Sequence, residues 1–302
     1  MFLLMQGALD GILIGGVYAT IAVGLSLAYG VMRIVNFAHG EFLMVAMYLA
    51  FILVSDLGMD PYLSMIVTVP AMFIVGYLLQ RGIFNRMLSR SKDVEPMSIL
   101  IFTAGLSMFL SNIATVIFGS NIQAAITRYT STSFAVGNII VSIPRLISFL
   151  IALGVTILLY IIIQKSEYGR ALRATAQNRQ VAELMGINYK KVYAVAFGLG
   201  LALIGVSASL LIPNASVSPT IGDTYGIKCF IIVVLGGMGN MNGSIIAAAL
   251  LTILPEALRS FSDYRMLVYG VVLVAMMLLK ITDWAAIKRS LKTALNFKTG
   301  GK

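Results

Sequence analysis

The polar segment from Gly30 to Glu41 carries the side chains best equipped for chemistry in the first part of the chain. It reads GVMRIVNFAHGE and places Asn36, His39 and Glu41 between two strongly apolar stretches. An amide, an imidazole and a carboxyl group near membrane depth could gate a pathway or contact a solute. They could instead cap the helix that enters at Gly40 and satisfy backbone groups freed by the break, which is the commoner duty of such residues.

A second break, rich in glycine, interrupts the uncharged stretch from Cys229 to Pro255. Two short helical arms that meet at a glycine turn would produce this pattern, and so would one broken helix. The glycines could line a solute passage, or they could simply permit the tight turn. The candidate residues are Gly236, Gly237, Gly239, Asn242 and Gly243.

Catalytic chemistry finds little support in the sequence. The chain has one histidine, one cysteine, no pair of carboxylates within a predicted span and no phosphate-binding loop of the G-x-x-x-x-G-K-[ST] type. We therefore expect no catalytic residue, no metal site and no cofactor. Any energy source must lie on another chain or in an ion gradient. Ionisable residues are missing from most predicted spans, which weighs against an ion-coupled carrier.

Composition places the chain in the membrane. Of its 302 residues 59% are hydrophobic and only 11% charged, whereas soluble domains carry about 25% charged residues. The net charge of +10 does not indicate nucleic-acid binding, because the basic residues lie between apolar spans. The N-terminal segment lacks the positive region of a cleavable signal peptide, so we expect the first apolar run to remain as an anchor.

The apolar runs predict an all-α, polytopic transmembrane helical bundle with about eight to nine passes and broken or re-entrant helices. We expect one membrane domain over residues 1–302, with long loops at 120–143 and 213–225. Arg81, Arg86, Arg90 and Lys92 are expected in a basic loop after the third span. The predicted spans cover roughly 7–29, 42–55, 62–80, 97–119, 144–164, 192–212, two arms within 229–255, and 266–279.

The distribution of cations predicts the orientation. Seventeen of the 22 Lys and Arg residues fall at Arg33, after the third span, in Lys165 to Lys191, and in the tail at 280–302. Cytoplasmic loops carry such an excess. With a periplasmic N-terminus, all these segments face the cytoplasm only if 229–255 enters the membrane and returns as two arms.

The segment from Lys165 to Lys191 is the one long polar helix-former between two apolar spans. Its Ala, Leu, Arg, Gln and Glu content over Arg170 to Met185 predicts a single surface helix of about four turns, ended by Gly186 in a left-handed conformation. Small and apolar side chains among the charges favour a helix that docks on another protein. A solvated loop near anionic lipid headgroups is the alternative.

Three motifs together resemble the membrane permease subunits of bacterial branched-chain amino acid ABC importers, most closely the smaller of the two paired permeases. They are NFAHGE at 36–41, GRALRATAQNRQVAELMGIN at 169–188 and VLGGMGNMNGSIIAAALL at 234–251. The resemblance covers nearly the whole chain. Gln177 and Asn178 stand where some family members carry acidic residues.

The resemblance implies a non-enzymatic subunit that works with two cytoplasmic ATPases, a second permease or another copy of itself, and a periplasmic binding protein that delivers Leu, Ile or Val. It also implies that Arg170 to Gly186 couples the bundle to an ATPase. Related permeases for urea, short amides or other amino acids share these motifs, and an ion-coupled secondary carrier is a further alternative. The coupling candidates are Arg170, Arg173, Ala182, Glu183 and Gly186, and we expect Gly186→Arg or Ala182→Asp to stop uptake without preventing insertion.

Overall fold

The computed structural model describes residues 2–90, 96–129, 132–136 and 139–257, together with residues 270, 271, 274, 275 and 278. These residues are mostly helical, as the sequence predicts. The helices are α1 (Phe2–Met32), α2 (His39–Ser55), α3 (Met65–Leu79), α4 (Asn85–Arg90), α5 (Pro96–Phe118), α6 (Ile143–Lys165), α7 (Glu167–Gln177), α8 (Arg179–Leu184), α9 (Tyr189–Leu211), α10 (Ile221–Gly236) and α11 (Met241–Ala257).

Within the described residues, five helical segments are long and apolar enough to cross a membrane. They are Leu4–Met32, Met65–Met87, Met97–Phe118, Ile143–Lys165 and Tyr189–Leu211. The shorter apolar helices α2 and α11 accompany them. An α-helical, multi-pass membrane protein is therefore confirmed, whereas the count of eight to nine passes remains a prediction. The predicted last span and the basic tail at 280–302 lie almost wholly outside the described residues.

Helix α1 is the centre of the compact unit that covers residues 1–261. It packs against α11, α9 and α6. Gly7, Gly11 and Gly15 allow the approach of α11: a methyl group on Gly11 would stand 2.6 Å from the Ile253 Cα. This glycine stripe is a packing seam, because small residues let two membrane helices touch along their backbones.

The predicted basic loop after the third span is wrong for three of its four residues, and the fourth, Lys92, lies outside the described residues. A π-helical turn, Gln80–Phe84, continues α3 into α4, so that Arg81, Arg86 and Arg90 lie on helix. The Gln80 side chain is buried and donates to Asn85 Oδ1 at 3.2 Å, while the Asn85 amide donates to the Lys190 carbonyl at 3.2 Å. These bonds stabilise the helix beyond its apolar part and join it to the start of α9.

The predicted long loop at 120–143 is also only partly irregular. Strands β1 (Ser133–Val136) and β2 (Ile139–Ser142) form an antiparallel hairpin in which Ser133 lies opposite Ser142. The Gln6 side chain bonds both backbone groups of Ile140, at 2.7 and 2.9 Å. The Gln6 side chain thus pairs with the edge of β2 as a neighbouring strand would. Sequence periodicity does not reveal this contact, because the two residues are far apart in the chain.

The glycine-rich break joins α10 to α11 through a turn at Gly237–Asn240. Gly237 and Gly239 have φ values of +89° and +86°, which residues with a Cβ rarely adopt. The Gly236 and Gly243 backbones touch, and a Cβ on Gly239 would stand 2.9 Å from the Gly30 Cα. Of the two structures that the sequence allowed here, the fold has the two helices that meet at a glycine turn. The first helix begins at Ile221, before the predicted start at Cys229, and therefore includes Asp223 and Lys228.

Candidate functional site

A cavity of about 320 Å³ lies where two short helices begin. We call it the helix-start cavity. Its lining comes from α1, the break before α2, the first turn of α2, the middle of α5 and the first half of α10. The residues are Leu25, Asn36, Phe37, His39, Gly40, Glu41, Ala104, Ser107, Met108, Gly222, Asp223, Gly226, Ile227 and Phe230.

The cavity lies at the break between α1 and α2. The chain leaves helix at Arg33, whose φ is +55°, and α2 begins again only at His39. The Asn36 Oδ1 accepts the Ala38 backbone N–H at 3.1 Å, and the Phe37 N–H donates to Thr103 Oγ1 of α5 at 3.3 Å. The break is therefore held on both sides by hydrogen bonds.

His39 serves the scaffold. Its imidazole is buried and its Nε2 lies 3.3 Å from the Ile21 carbonyl oxygen of α1. The Asn36 contact satisfies a backbone group of the break, as predicted, but no side chain caps the start of α2. These hydrogen bonds leave the Asn36 Nδ2 and the Glu41 Oε2 without partners among the described residues.

Two buried polar atoms of this cavity have no hydrogen-bond partner in the part of the chain that the structure describes. They are the Asn36 Nδ2 donor and the Glu41 Oε2 acceptor. Asn36 is 6% exposed and Glu41 is 1% exposed. Buried polar groups usually find partners, so an unpaired donor and acceptor in one cavity require an explanation.

Helices α2 and α10 approach closely beside the cavity. A methyl group on Gly40 would stand 2.7 Å from the Gly226 Cα. A methyl group on Gly222 would stand 2.6 Å from the Glu41 carboxyl carbon. The missing side chains of these glycines allow the Glu41 carboxyl to lie directly on the first turn of α10, where it interacts electrostatically with Asp223.

Asp223 was not among the site residues predicted from the sequence. The sequence does contain an indication of its importance, because Asp223 is an acidic residue just before a long apolar stretch. It lies in the first turn of α10, whose next charged residue is Lys228. Pairing with Glu41 could not be inferred, because the two residues are far apart in the chain. Phe37 and Phe230, whose rings stack with centroids 5.8 Å apart, were missed for the same reason.

The predicted glycine candidates of the second break do not line the helix-start cavity. Gly236, Gly237, Gly239 and Gly243 lie in the α10–α11 turn and its helix contacts, and Asn242 lies in the first turn of α11. A role for these residues in a solute passage remains a prediction. The positive φ values of Gly237 and Gly239 and the close backbone contacts of Gly236 and Gly243 explain why glycine is needed in the turn.

The predicted coupling helix is two helices. Asn178 ends α7 with a C-cap in extended conformation and then caps α8, its Oδ1 accepting the N–H groups of Gln180 and Val181 at 3.0 and 3.1 Å. A single four-turn helix is therefore wrong. Asparagine favours such caps because its side chain replaces backbone partners. The predicted left-handed stop is confirmed, with φ of +82° at Gly186.

Two of the coupling candidates have contacts inside the chain. Ala182 is 3% exposed, so its side chain is not available to a partner. Arg173 donates through Nη1 to the Ile163 carbonyl oxygen and through Nη2 to the Gln164 carbonyl oxygen at 3.3 Å, at the end of α6. Arg170, Glu183 and Gly186 are exposed.

An apolar surface patch accompanies these exposed residues. Val181, Leu184 and Met185 are 54%, 87% and 78% exposed. Arg179 joins α8 to α9, its guanidinium 4.0 Å from the Tyr189 ring centroid and its Nη2 donating to the Tyr189 hydroxyl at 3.0 Å. Leu172, in contrast, packs inward among residues of α1, α6 and α9.

Comparisons with known proteins identify the family. The profile of the family described as "Branched-chain amino acid transport system / permease component" matches residues 7–278. The permease protein BraD of Pseudomonas aeruginosa, from a high-affinity branched-chain amino acid transport system, is 32% identical over 82% of this chain and 83% of its own length. No solved structure matches.

Two further relatives cover almost the whole chain. The LivH permease protein of Escherichia coli is 31% identical over 92% of this chain and 94% of its own length. A probable LivH permease of Methanocaldococcus jannaschii is 28% identical over 97% of this chain and 96% of its own. Together with the family profile, they show that this chain belongs to the permease component family of branched-chain amino acid transport systems.

Proposed function

We propose that this chain is the membrane-spanning permease subunit of an ATP-binding-cassette importer that moves Leu, Ile and Val across a bacterial inner membrane. The observation that carries the proposal is a small, mainly apolar cavity at two helix starts, within a chain that matches the permease family over residues 7–278. Solute sites of many transporters lie where interrupted helices meet.

The proposed partners are two cytoplasmic ATPases, a second permease or another copy of this chain, and a periplasmic binding protein. The E. coli relatives named LivH and LivM are both permease proteins of a branched-chain amino acid transport system, and the LivM match covers only 43% of this chain. A pair made of this chain and a LivM-like permease agrees with those two names. ATP hydrolysis then belongs to the ATPases.

The coupling segment Glu167–Gly186 is proposed to bind an ATPase through its exposed patch. Val181, Leu184 and Met185 supply apolar area, and Arg170 and Glu183 supply charge around it. The contacts of Arg173 with the end of α6 and of Arg179 with α9 tie the segment to two candidate spans. A displacement of the segment would therefore move both helices and alternate the access to the cavity.

The proposed orientation has a periplasmic N-terminus and a cytoplasmic C-terminus. Support comes from a second cavity, of about 530 Å³, whose lining includes Arg81, Arg86, Lys190 and Lys191. These cations belong to two of the basic segments predicted to face the cytoplasm, and the fold places them together. The excess of positive charge on the cytoplasmic side explains why they share one end of the bundle.

Uptake by the complete system tests the proposal. In cells that lack this gene, the restored chain should support leucine uptake that requires the ATPase partner and survives an uncoupler. Leucine, isoleucine and valine should compete with each other, and urea should not. Uptake without the ATPase that collapses with an uncoupler would establish an ion-coupled carrier instead, and competition by urea would establish the urea or amide alternative.

A further inference from the structure

The helix-start cavity combines opposite polar groups in an otherwise apolar space. The Asn36 amide presents an unpaired donor, Nδ2, and Glu41 presents an unpaired acceptor, Oε2, each on a side chain more than nine-tenths buried. Both residues line the cavity. Leaving such groups unpaired in a buried site destabilises it, so a ligand that supplies both partners binds preferentially.

Asp223 adds a second carboxyl group to the acceptor side. It interacts with the Glu41 carboxyl and also lines the cavity. Two carboxylates in contact repel each other unless a proton or a cation lies between them. Among the described residues, no Lys or Arg lines this cavity. The acceptor side therefore suits a cationic group brought by a ligand.

The donor side suits an anionic group. Helices α2 and α10 both begin at the cavity, and a helix N-terminus carries a partial positive charge. The first N–H group of each helix already donates to a backbone carbonyl, His39 to Asn36 and Ile221 to Ser218, so the helix starts contribute through this charge. The Asn36 Nδ2 precedes α2 and adds a side-chain donor. Broken transporter helices direct such N-termini toward the carboxylate of a solute.

The remaining wall is apolar. Leu25, Phe37, Met108 and Phe230 line it, and the two phenylalanine rings stack on one another. The volume of about 320 Å³ is near the lower end of the roughly 300–1,000 Å³ range of small-ligand sites. This space suits a compact aliphatic side chain.

We propose that the helix-start cavity is the solute site and binds an aliphatic α-amino acid as a zwitterion. Its ammonium group lies between Glu41 and Asp223, its carboxylate accepts from Asn36 Nδ2 at the helix starts, and its side chain packs against Phe37 and Phe230. The assignment rests on the proposed function of amino acid transport and names the residues that would recognise both charges. Urea and short amides lack the cation that the carboxyl pair requires.

Thiol protection tests the assignment. The sole cysteine, Cys229, is 0% exposed, so a cysteine placed in the cavity can be followed alone. We would make Ser107→Cys, because Ser107 lines the cavity, and Leu57→Cys as the control outside it, because Leu57 is 70% exposed. Membranes holding the full transporter are treated with methyl methanethiosulfonate in the presence of leucine, 4-methylpentanoate or isopentylamine.

Leucine should slow the reaction of Ser107→Cys by about tenfold when its concentration is about ten times its Kd, and leave Leu57→Cys unchanged. The analogue 4-methylpentanoate lacks the ammonium group and isopentylamine lacks the carboxylate, so each should protect much less. Adding Glu41→Gln or Asp223→Asn should raise the Kd for leucine about tenfold or more. The unliganded reactivity of Ser107→Cys in these variants reports whether the cavity remains folded.

Two results would overturn the assignment: equal protection by leucine and 4-methylpentanoate, or no protection by leucine although the Ser107→Cys transporter takes it up. In either case the proposed transport function would stand. Failure of the parent transporter to take up any branched-chain amino acid would instead overturn the proposed function. Unchanged protection in both carboxyl variants would show that the acid pair does not bind the solute.

Discussion

The position of the Glu41 carboxyl depends on Gly222, which has no side chain. The carboxyl lies on Gly222, the second residue of α10, where a methyl group would stand 2.6 Å from the carboxyl carbon and 2.7 Å from Oε1. Real Cβ atoms do not approach other atoms so closely, so the carboxyl or the helix would have to move. Gly222 therefore positions Glu41 beside Asp223.

We expect Gly222→Ala to lower leucine uptake by about tenfold, because the added methyl displaces the Glu41 carboxyl and about 1 Å of misplacement is costly in a binding site. Uptake in cells at matched protein level measures the effect. Gly154→Ala in α6 is the matched control, since no described residue lies within 4 Å of a methyl group there. Equal uptake by the two variants would contradict this role of Gly222.

Tyr62 and Tyr129 offer a test of pH dependence. Burial raises the pKa of the Tyr62 phenol to about 12, and the hydrogen bond to Asp60 raises the pKa of Tyr129. The Tyr129 hydroxyl donates to Asp60 Oδ2 at 2.8 Å. The unfolded phenols ionise near pH 10. Their stabilising contribution is thus complete below about pH 10 and is lost as the pH rises toward the folded values.

We therefore expect the thermal stability of the detergent-solubilised protein to fall more steeply between about pH 10 and 12 in the wild type than in Tyr62→Phe, which has no proton to lose. Tyrosinate absorbance should show one fewer late-titrating group in the variant. Tyr168→Phe is the control, because Tyr168 is 71% exposed. Parallel stability curves for wild type and Tyr62→Phe would refute this explanation.

Helix pairs in this bundle meet backbone to backbone. Gly11 lies against Ile253 and Thr252 of α11, and Gly40 lies against Gly226 of α10. Between membrane helices the apolar surroundings offer little hydrophobic gain, so close packing supplies much of the attraction. The glycine contacts thus determine the helix spacings on both sides of α1 and beside the cavity.

Gly11→Ala should destabilise the protein by about 1–3 kcal/mol, because the methyl group must push α1 and α11 apart. The thermal midpoint in detergent measures this change. Gly105→Ala in α5 should be neutral or stabilising, since the added methyl meets no atom of the described ranges within 4 Å and alanine favours helix. A Gly11→Ala midpoint equal to that of Gly105→Ala would exclude the close contact.

The coupling segment requires different variants from those suggested by the sequence. Ala182 is buried, so Ala182→Asp would place a charge inside the chain and disturb the fold itself. Gly186 adopts φ +82°, so Gly186→Arg adds backbone strain to any effect on docking. Leu184 and Met185 are exposed and avoid both problems.

We expect Leu184→Glu to abolish most leucine uptake while leaving membrane insertion and thermal stability unchanged, since the side chain contributes area to a docking surface rather than to the fold. Gln180→Glu adds the same charge at an exposed position of the same short helix and should retain uptake. Co-purification of the ATPase with each variant measures docking directly. Normal uptake by Leu184→Glu would remove the patch from the proposed interface.

The orientation of the entire bundle can be tested with single cysteines on a background whose own Cys229 is buried. A membrane-impermeant thiol reagent should label Leu57→Cys, between α2 and α3, from the periplasmic side. It should label Gln177→Cys, at the end of α7, only after the cells are opened. The opposite pattern would reverse the proposed topology and separate the coupling segment from any cytoplasmic ATPase.

The linear sequence was sufficient for the apolar helices among the described residues, the two breaks and the left-handed stop at Gly186, because composition, glycine and local periodicity act over a few neighbouring residues. It was also sufficient for the family, through motifs spread over the chain. It failed at Asn178. The composition of this segment predicts one continuous helix, but Asn178 ends α7 and caps the start of α8, so two helices form.

Only the tertiary structure decided which residues share the helix-start cavity. Glu41 meets Asp223, and Phe37 meets Phe230, through the packing of α2 and the preceding break against α10. It likewise turned Ala182 and Leu172 inward and left Leu184 and Met185 exposed. Such pairings depend on helix contacts between distant parts of the chain, and hydrophobic pattern alone does not specify which helices become neighbours.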